Sequence, residues 1–478
     1  MASKKTLNAK NLEALGAERL SALLIEISTG NAAAKRRLRL ELAGAQSPAE
    51  VGREVRKRLT TIARSRSFVD WQKRKALVED LDMQRRAIVE NVAKHDPGDA
   101  LDLMWRFMAL ASSVFERCDD GSGTVGDVFR SACGDLGGIA EAASADPITL
   151  ADRAFQALNA NDYGQFDGLI ETLTPALGKR GLEHLKKRLV ALSKEPVAKP
   201  APEDRQVIGW GPGGRIYADE IAETARVNTV RWALREIADA QGDVDAFIGQ
   251  YDAETRKVPG IAAEIAGRLL AAGRADEAWR TIEAAEHRRH GWPDFDWEDT
   301  RIEVLEALGH SEDAQSARWA CFERSLSADH LRAYLKRLAD FDDVEAEERA
   351  LDFARAYPSV LQALWFLVSW PALDRAADLV IRRAGDLDGD HYEILAPAAE
   401  ALAAKHPLAA TLLMRAMIDF SLAQARSSRY RHAARHFMDC ESLAPSIGDF
   451  GAFDTHDTYA AKLRAAHGRK SAFWSHLS

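Results

Sequence analysis

Ala262–Glu286 reads AAEIAGRLLAAGRADEAWRTIEAAE. Small or apolar residues recur three and four apart on both sides of Gly273, which is the period of an α-helix and not of a strand. Gly273 interrupts the run, and the alternation of small and large residues then restarts. The natural product is two short antiparallel helices, each too narrow to bury its own apolar face. Such pairs must stack on neighbours, so this stretch predicts an α-solenoid.

Working outward, two helix-pair hinges at Ala278 and Ala314 stand 36 residues apart, and two more at Ala376 and Ala410 stand 34 apart. The intervening 320–360 segment is helical but out of phase. Within Ala262–Ala285, the residues Ala266, Gly273, Ala278 and Ala285 fall where small side chains let two helices approach, a tetratricopeptide-like spacing. The other units match it more loosely. The expected class is therefore all-α, with a solenoid of degenerate tetratricopeptide-like hairpins over 207–478 preceded by a basic helical region over 1–193.

The N-terminal region marks its helix starts clearly. Ser47-Pro48-Ala49-Glu50 supplies a capping serine, a proline at the first helical position and a glutamate that reaches back to the cap. Asp96-Pro97 and Asp146-Pro147 repeat the device. Helices are expected near 17–29, 31–44, 48–64, 70–94, 98–117, 124–143, 147–159, 165–176 and 179–194. Lys194–Gln206 (KEPVAKPAPEDRQ) holds three prolines and reads as an exposed linker, with a domain boundary there and a glycine-rich loop over Ile208–Tyr217.

A chain of 478 residues is too long for one core. Its 46% hydrophobic and 29% charged content excludes wholesale disorder. The most apolar run, Leu361–Leu373, is interrupted by Gln362, Ser369 and Pro371, and is far shorter than the ~20 residues a bilayer demands. No membrane span is expected. The lysine-bearing start, MASKKTLNAKN, has no apolar segment behind it and does not read as a secretory signal. Cys118, Cys133, Cys321 and Cys440 form no CxxC pair, which fits buried thiols in a reducing cytoplasm.

The net charge of −9 argues against simple coating of nucleic acid. Yet 13 Lys/Arg against 4 Asp/Glu between Lys35 and Lys75 give that stretch a local +9. Its clusters are Lys35-Arg36-Arg37, Arg56-Lys57-Arg58 and Lys73-Arg74-Lys75. Arg426, Arg429, Arg431 and Arg435, interleaved with Tyr430 and His432, form a second patch, and Lys462, Arg464, Arg469 and Lys470 a third. Arginine beside aromatic rings suits phosphate and base contact, although the outer faces of helix pairs are commonly arginine-rich as well.

Other motifs have plainer readings. Gly209–Gly214 (GWGPGG) lacks the Lys-Ser/Thr of a phosphate loop and reads as a turn. Asp386, Asp388 and Asp390 carry the one-three-five spacing of a calcium loop. His391 and Pro397 stand where its glycine and glutamate belong, which leaves an inter-helix turn. Asp119–Gly123 is likewise a turn. His432, His436 and Cys440 lie four apart on one expected helix, a spacing able to bind a transition metal, but Ala433 replaces the glutamate of an HExxH hydrolase. A packed or exposed histidine stripe is the plainer alternative. Trp292-Pro293-Asp294-Phe295-Asp296-Trp297 joins aromatic and acidic residues in a short inter-repeat segment, which suits either a partner-binding hot spot or a staple between helices.

Two passages carry a family resemblance. Leu402–Leu443, with His406-Pro407-Leu408-Ala409-Ala410, Arg415-Ala416-Met417 and Arg429–Arg435, together with Leu463–Trp474 (LRAAHGRKSAFW), resembles an uncharacterised proteobacterial family of helical proteins, a domain of unknown function. Leu103–Phe107 and Gly121–Phe129 look like the same family. Residues 297–443 are also similar to the helical C-terminal part of SWIM zinc-finger proteins. The zinc finger itself has no counterpart here, so zinc-dependent nucleic-acid binding does not carry over.

The sequence thus predicts a non-catalytic cytoplasmic scaffold for an unknown protein partner, needing no cofactor or metal, with Trp292, Phe295 and Trp297 as contacts. The alternative is a nucleic-acid-associated factor using Lys35, Arg36, Arg37, Arg56, Lys57, Arg58, Lys73, Arg74 and Lys75 with the Arg426–Arg435 face. A third reading is a metal-dependent enzyme through His432, His436 and Cys440.

Overall fold

A computed structural model describes residues 6–196, 200–211, 213–285 and 294–477. The class is all-α: among the described residues the only sheet is one two-stranded hairpin. Contacts divide the chain into two compact units, Met1–Ala253 and Glu254–Ser478.

The first unit is built from helices that start where their caps direct. Ser47 Oγ accepts from the Glu50 amide at 3.3 Å and opens the Pro48–Arg64 helix. Asp96 and Asp146 accept from the amides of Asp99 and Thr149 at 2.9 Å, and open Pro97–Met108 and Pro147–Asn159. Trp71–Ala87 runs into a wider turn over Ile88–Val92, whose Ile88 and Val92 are buried. The expected 98–117 helix ends at Met108 and resumes as Ala111–Phe115. Phe107, Phe115 and Phe129 gather at the centre with ring centroids 5.3 and 5.6 Å apart. Asp120 accepts from the amides of Val125 and Gly126 at 3.0 and 2.9 Å, so the Asp119–Gly123 turn serves as the cap of Thr124–Ala142.

The structure places two features differently from the sequence reading. Val207–Gly211 and Gly214–Tyr217 pair as antiparallel strands where a glycine-rich loop was expected, with an irregular register between Val207 and Gly209. The 194–206 linker does not divide the units either. Beyond it, the Ala218–Gln241 helix buries Val230, Ala233 and Ile237 in the first unit's core. Its Gln241 donates to Glu183 at 2.9 Å, and its Arg226 donates to the Glu195 carbonyl at 3.0 Å, both partners lying at or beside the Leu169–Lys194 helix. A linker rich in proline and charge looks like a boundary, but the next helix folds back on the last.

In the second unit helices pair through short turns. Pro259–Ala271 meets Ala275–Glu283 at Gly273, and Phe295–Ala307 meets Ser311–Ser325 at Gly309. Both glycines have positive φ, 74° and 79°, a left-handed conformation that side chains disfavour. Val360–Ser369 pairs with Leu373–Arg382, and Tyr392–Ala403 with Pro407–Ala423. The hinge alanines Ala278, Ala314, Ala376 and Ala410 are all fully buried, which lets paired helices approach closely. The shorter Ala328–Leu335 and Asp342–Arg355 helices occupy the out-of-phase segment. No described helix is long and apolar enough to cross a membrane.

Candidate functional site

The Pro407–Ala423 helix (PLAATLLMRAMIDFSLA) is buried on nearly every side, as a helix apolar all round must be. Its one arginine is buried with it. Arg415 is 6% exposed, and burial pulls its guanidinium below the usual arginine range. Its Nη1 donates to the Asp454 carbonyl at 2.8 Å, and the guanidinium lies 4.4 Å over the ring of Tyr459. Nε and Nη2 have no hydrogen-bond partner, and among the described residues Arg415 has no ion-pair partner. Removing a charge from water without pairing it is costly, and such groups concentrate at functional sites.

Arg415 lines an open pocket of about 570 Å³, together with Leu387, Gly389, Asp419, Phe453 and Tyr459. The 384–390 turn forms one wall, pressed against the helix at Gly389. A Cβ there would run into the Ala416 carbonyl and lie 2.7 Å from the Phe420 Cβ. Asp419, one turn beyond Arg415, is exposed in the pocket mouth. Its Oδ1 accepts from the Tyr459 hydroxyl at 2.7 Å, and burial first, then the Asp419 charge, pushes the Tyr459 hydroxyl up. Asp454 gives its carboxylate to Lys462 at 2.7 and 2.8 Å. Arg415 thus stands in the pocket wall with two unpaired guanidinium nitrogens that are themselves shut off from solvent, and Asp419, its i,i+4 neighbour, has a second carboxylate oxygen that the Tyr459 bond does not use. A neutral group carrying both an acceptor and a donor fits that pair, as a peptide amide does.

The residues singled out in the sequence fall elsewhere. Trp292 lies outside the described residues. Phe295 opens its helix 47% exposed, whereas Trp297 is 5% exposed and offers no surface to a partner. Asp294 caps the Trp297 amide at 3.1 Å, so the acidic and aromatic segment is a helix start with one ring turned into the core.

His432, His436 and Cys440 do not converge. A step of four residues turns about 40° past a full circle, so the three drift around their helix. His432 is exposed, and His436 is half-buried with its imidazole lowered by that burial. The Cys440 thiol is fully buried, directed at the Thr411 carbonyl at 3.8 Å, and pushed by burial up to about 12. Among the described residues no three His, Cys, Asp or Glu side chains are grouped to hold a metal ion. The calcium-loop spacing is used for turn bonds: Asp386 pairs with Arg383 at 2.8 Å and Asp390 with Arg429 at 2.7 Å.

That last pair also removes Arg429 from the second basic patch, where its guanidinium lies 4.8 Å over Tyr392. Arg426, Arg431 and Arg435 remain exposed. The Arg415 pocket escaped the sequence reading, although one signal was present: a single arginine inside a helix with no other charge before Asp419.

The passages that carry the family resemblance, Leu402–Leu443 and Leu463–Trp474, supply Arg415 and Asp419, and the guanidinium of Arg464 that lies 4.9 Å over the Trp474 ring. A family of unknown function, DUF6880, matches residues 2–476. The chain belongs to DUF6880. The DUF6880 match takes in both compact units and every residue of the pocket. No curated protein matches the chain.

Proposed function

We propose that this DUF6880 protein is a non-catalytic scaffold whose second unit holds an extended segment of a protein partner by its backbone. One observation carries the reading: a 6% exposed arginine with two buried, unpaired guanidinium nitrogens lines an open pocket beside an exposed carboxylate. A peptide carbonyl satisfies the arginine, and the neighbouring amide donates to Asp419. The Cys440 thiol is buried, directed at the Thr411 carbonyl and pushed up by that burial, and it does not line the pocket, so the groups facing the pocket suit binding better than bond-making.

The wider reading is a degenerate tetratricopeptide-like array. Paired helices, buried hinge alanines and equivalent glycine turns support it. The likeness of residues 297–443 to the helical part of SWIM proteins and a proteobacterial origin belong to the same proposal. So does a cytoplasmic location, supported by four free cysteines of which three are buried.

The test is an overlapping peptide array probed with the labelled full-length chain. Peptides bound by wild type should bind about tenfold more weakly to Arg415→Gln and Asp419→Asn, each of which loses a charged hydrogen-bonding group. Asp419 is exposed, so its variant reports on binding even if Arg415→Gln disturbs folding. Equal binding by Asp419→Asn and wild type, with unchanged circular dichroism, removes the pocket from the proposal.

A further inference from the structure

The cations that the sequence concentrates between Lys35 and Lys75 do not make one continuous face. Arg56 is tied to Asp99, Arg53 to Glu50 at 2.9 Å and Lys73 to Asp70 at 3.5 Å, while Arg74 donates to the Asp119 carbonyl at 3.0 Å. Those residues are spent on the protein's own structure. Five of the other nine converge. Lys35, Arg36 and Arg39 on the Ala32–Gln46 helix share a cleft of about 270 Å³ with Lys57 and Arg58 on the Pro48–Arg64 helix.

The cleft is organised from below by the Trp71–Ala87 helix. Its Asp80 is 3% exposed and serves two arginines at once. Arg58 donates to Oδ2 from Nε at 2.9 Å and also from Nη2, and Arg36 Nε stands 3.2 Å from Oδ1. Gln84, one turn along and lining the cleft, donates to Oδ1 at 3.4 Å. One buried carboxylate thereby fixes two guanidinium groups, in the way that an outer shell orients metal ligands. Glu54, at the edge, approaches only Lys57, at 3.9 Å. Among the described residues neither Lys35 nor Arg39 has an ion-pair partner. Five cations against Asp80 and Glu54 leave a formal +3 in one concavity.

Like charges held this close repel, and a concave wall of one sign focuses the field on whatever counter-ion enters. The guanidinium fork matches the spacing of phosphate oxygens, and lysine adds a compact point charge. Size selects between sources of phosphate. Pockets for drug-sized ligands begin near about 300 Å³, so this one has room for a phosphate and a small organic body. A nucleic-acid strand needs cations spaced along a groove for successive phosphates, and the internally paired Arg56, Lys73 and Arg74 interrupt such a track.

We propose that this cleft binds a phosphorylated small molecule, its phosphate oxygens held by Arg36, Arg39 and Arg58 with the ammonium groups of Lys35 and Lys57. Asp80 is a positioning residue that sets the two inner guanidinium groups.

Isothermal titration of the full chain with inorganic pyrophosphate tests this, using wild type, Lys35→Gln and Arg39→Gln. Both side chains are exposed and unpaired, so circular dichroism should not change. The expected result is saturable one-site binding, weakened about tenfold by each variant through loss of a charge-assisted contact. Arg415→Gln should leave it unaltered, which separates this site from the peptide pocket. Absence of saturable binding, or binding that neither variant weakens, overturns the proposal. A single-stranded oligonucleotide that binds and is not displaced by pyrophosphate also overturns it, and assigns the cations to a nucleic-acid backbone.

Discussion

The hydroxyl of Tyr459 donates to Oδ1 of Asp419 across 2.7 Å, joining the His456–His467 helix to the Pro407–Ala423 helix. The same ring lies under the Arg415 guanidinium, so one side chain supports both binding groups of the pocket.

Tyr459→Phe keeps the ring and removes only the hydroxyl. The expected loss is about 1 kcal/mol, near the net value of one hydrogen bond. With two compact units a single melting temperature is a poor probe, so hydrogen exchange is the measurement of choice. Protection should fall across 407–423 and 456–467 and hold in the first unit. Uniform loss over the whole chain, or none, would contradict the local role assigned to this bond.

Gly389→Ala tests the wall of the same pocket. A methyl group there meets the Ala416 carbonyl, a backbone atom that cannot turn aside. Overpacking of this kind costs about 1–3 kcal/mol. Urea unfolding followed at the buried Tyr430 and Phe473 region should shift to lower denaturant. An unshifted midpoint would mean that the 384–390 turn can lift away from the helix.

Glu236 links the first unit's stability to pH. Burial first, then the charges of Glu171 and Asp167, push its carboxyl up to about 7 from 4.5. The folded chain therefore holds a proton that the unfolded chain has released between these values. Stability falls as pH rises through that window, and the full penalty stands above about pH 7. Glu236→Gln should stabilise the first unit at about pH 8 by about 1–2 kcal/mol, a figure reduced for partial exposure to solvent. The gain should vanish below about pH 4.5. A gain that is the same at both pH values would assign it to packing instead of ionisation.

Much of the helical framework was legible because its signals are local. Ser47, Asp96 and Asp146 each cap an amide three residues away, within reach of a sequence window. Gly273 and Gly309 mark turns that their own backbone requires. What escaped is non-local. Arg58 finds Asp80 across 22 residues and Arg56 finds Asp99 across 43, so a run of cations gave no sign of which were already paired. The partners of Arg415 and Asp419 lie 39 and 40 residues further on. Trp297 stood in a motif that suited a contact surface, and only its neighbours decide that it faces the core. The hairpin at Val207–Tyr217 has glycines where strands usually carry branched residues, so its composition concealed it.

Arg415 also imposes an order of assembly. The helix that carries it is apolar enough to collapse as soon as it is made. The carbonyl that receives its guanidinium belongs to Asp454, and the ring beneath it to Tyr459. A growing chain that has emerged only as far as the Pro407–Ala423 helix must therefore keep that helix wet, or bury a bare charge. The environment of Arg415 is complete only with residues 450–459 in place, which makes that segment the latch for a helix well before it in the chain.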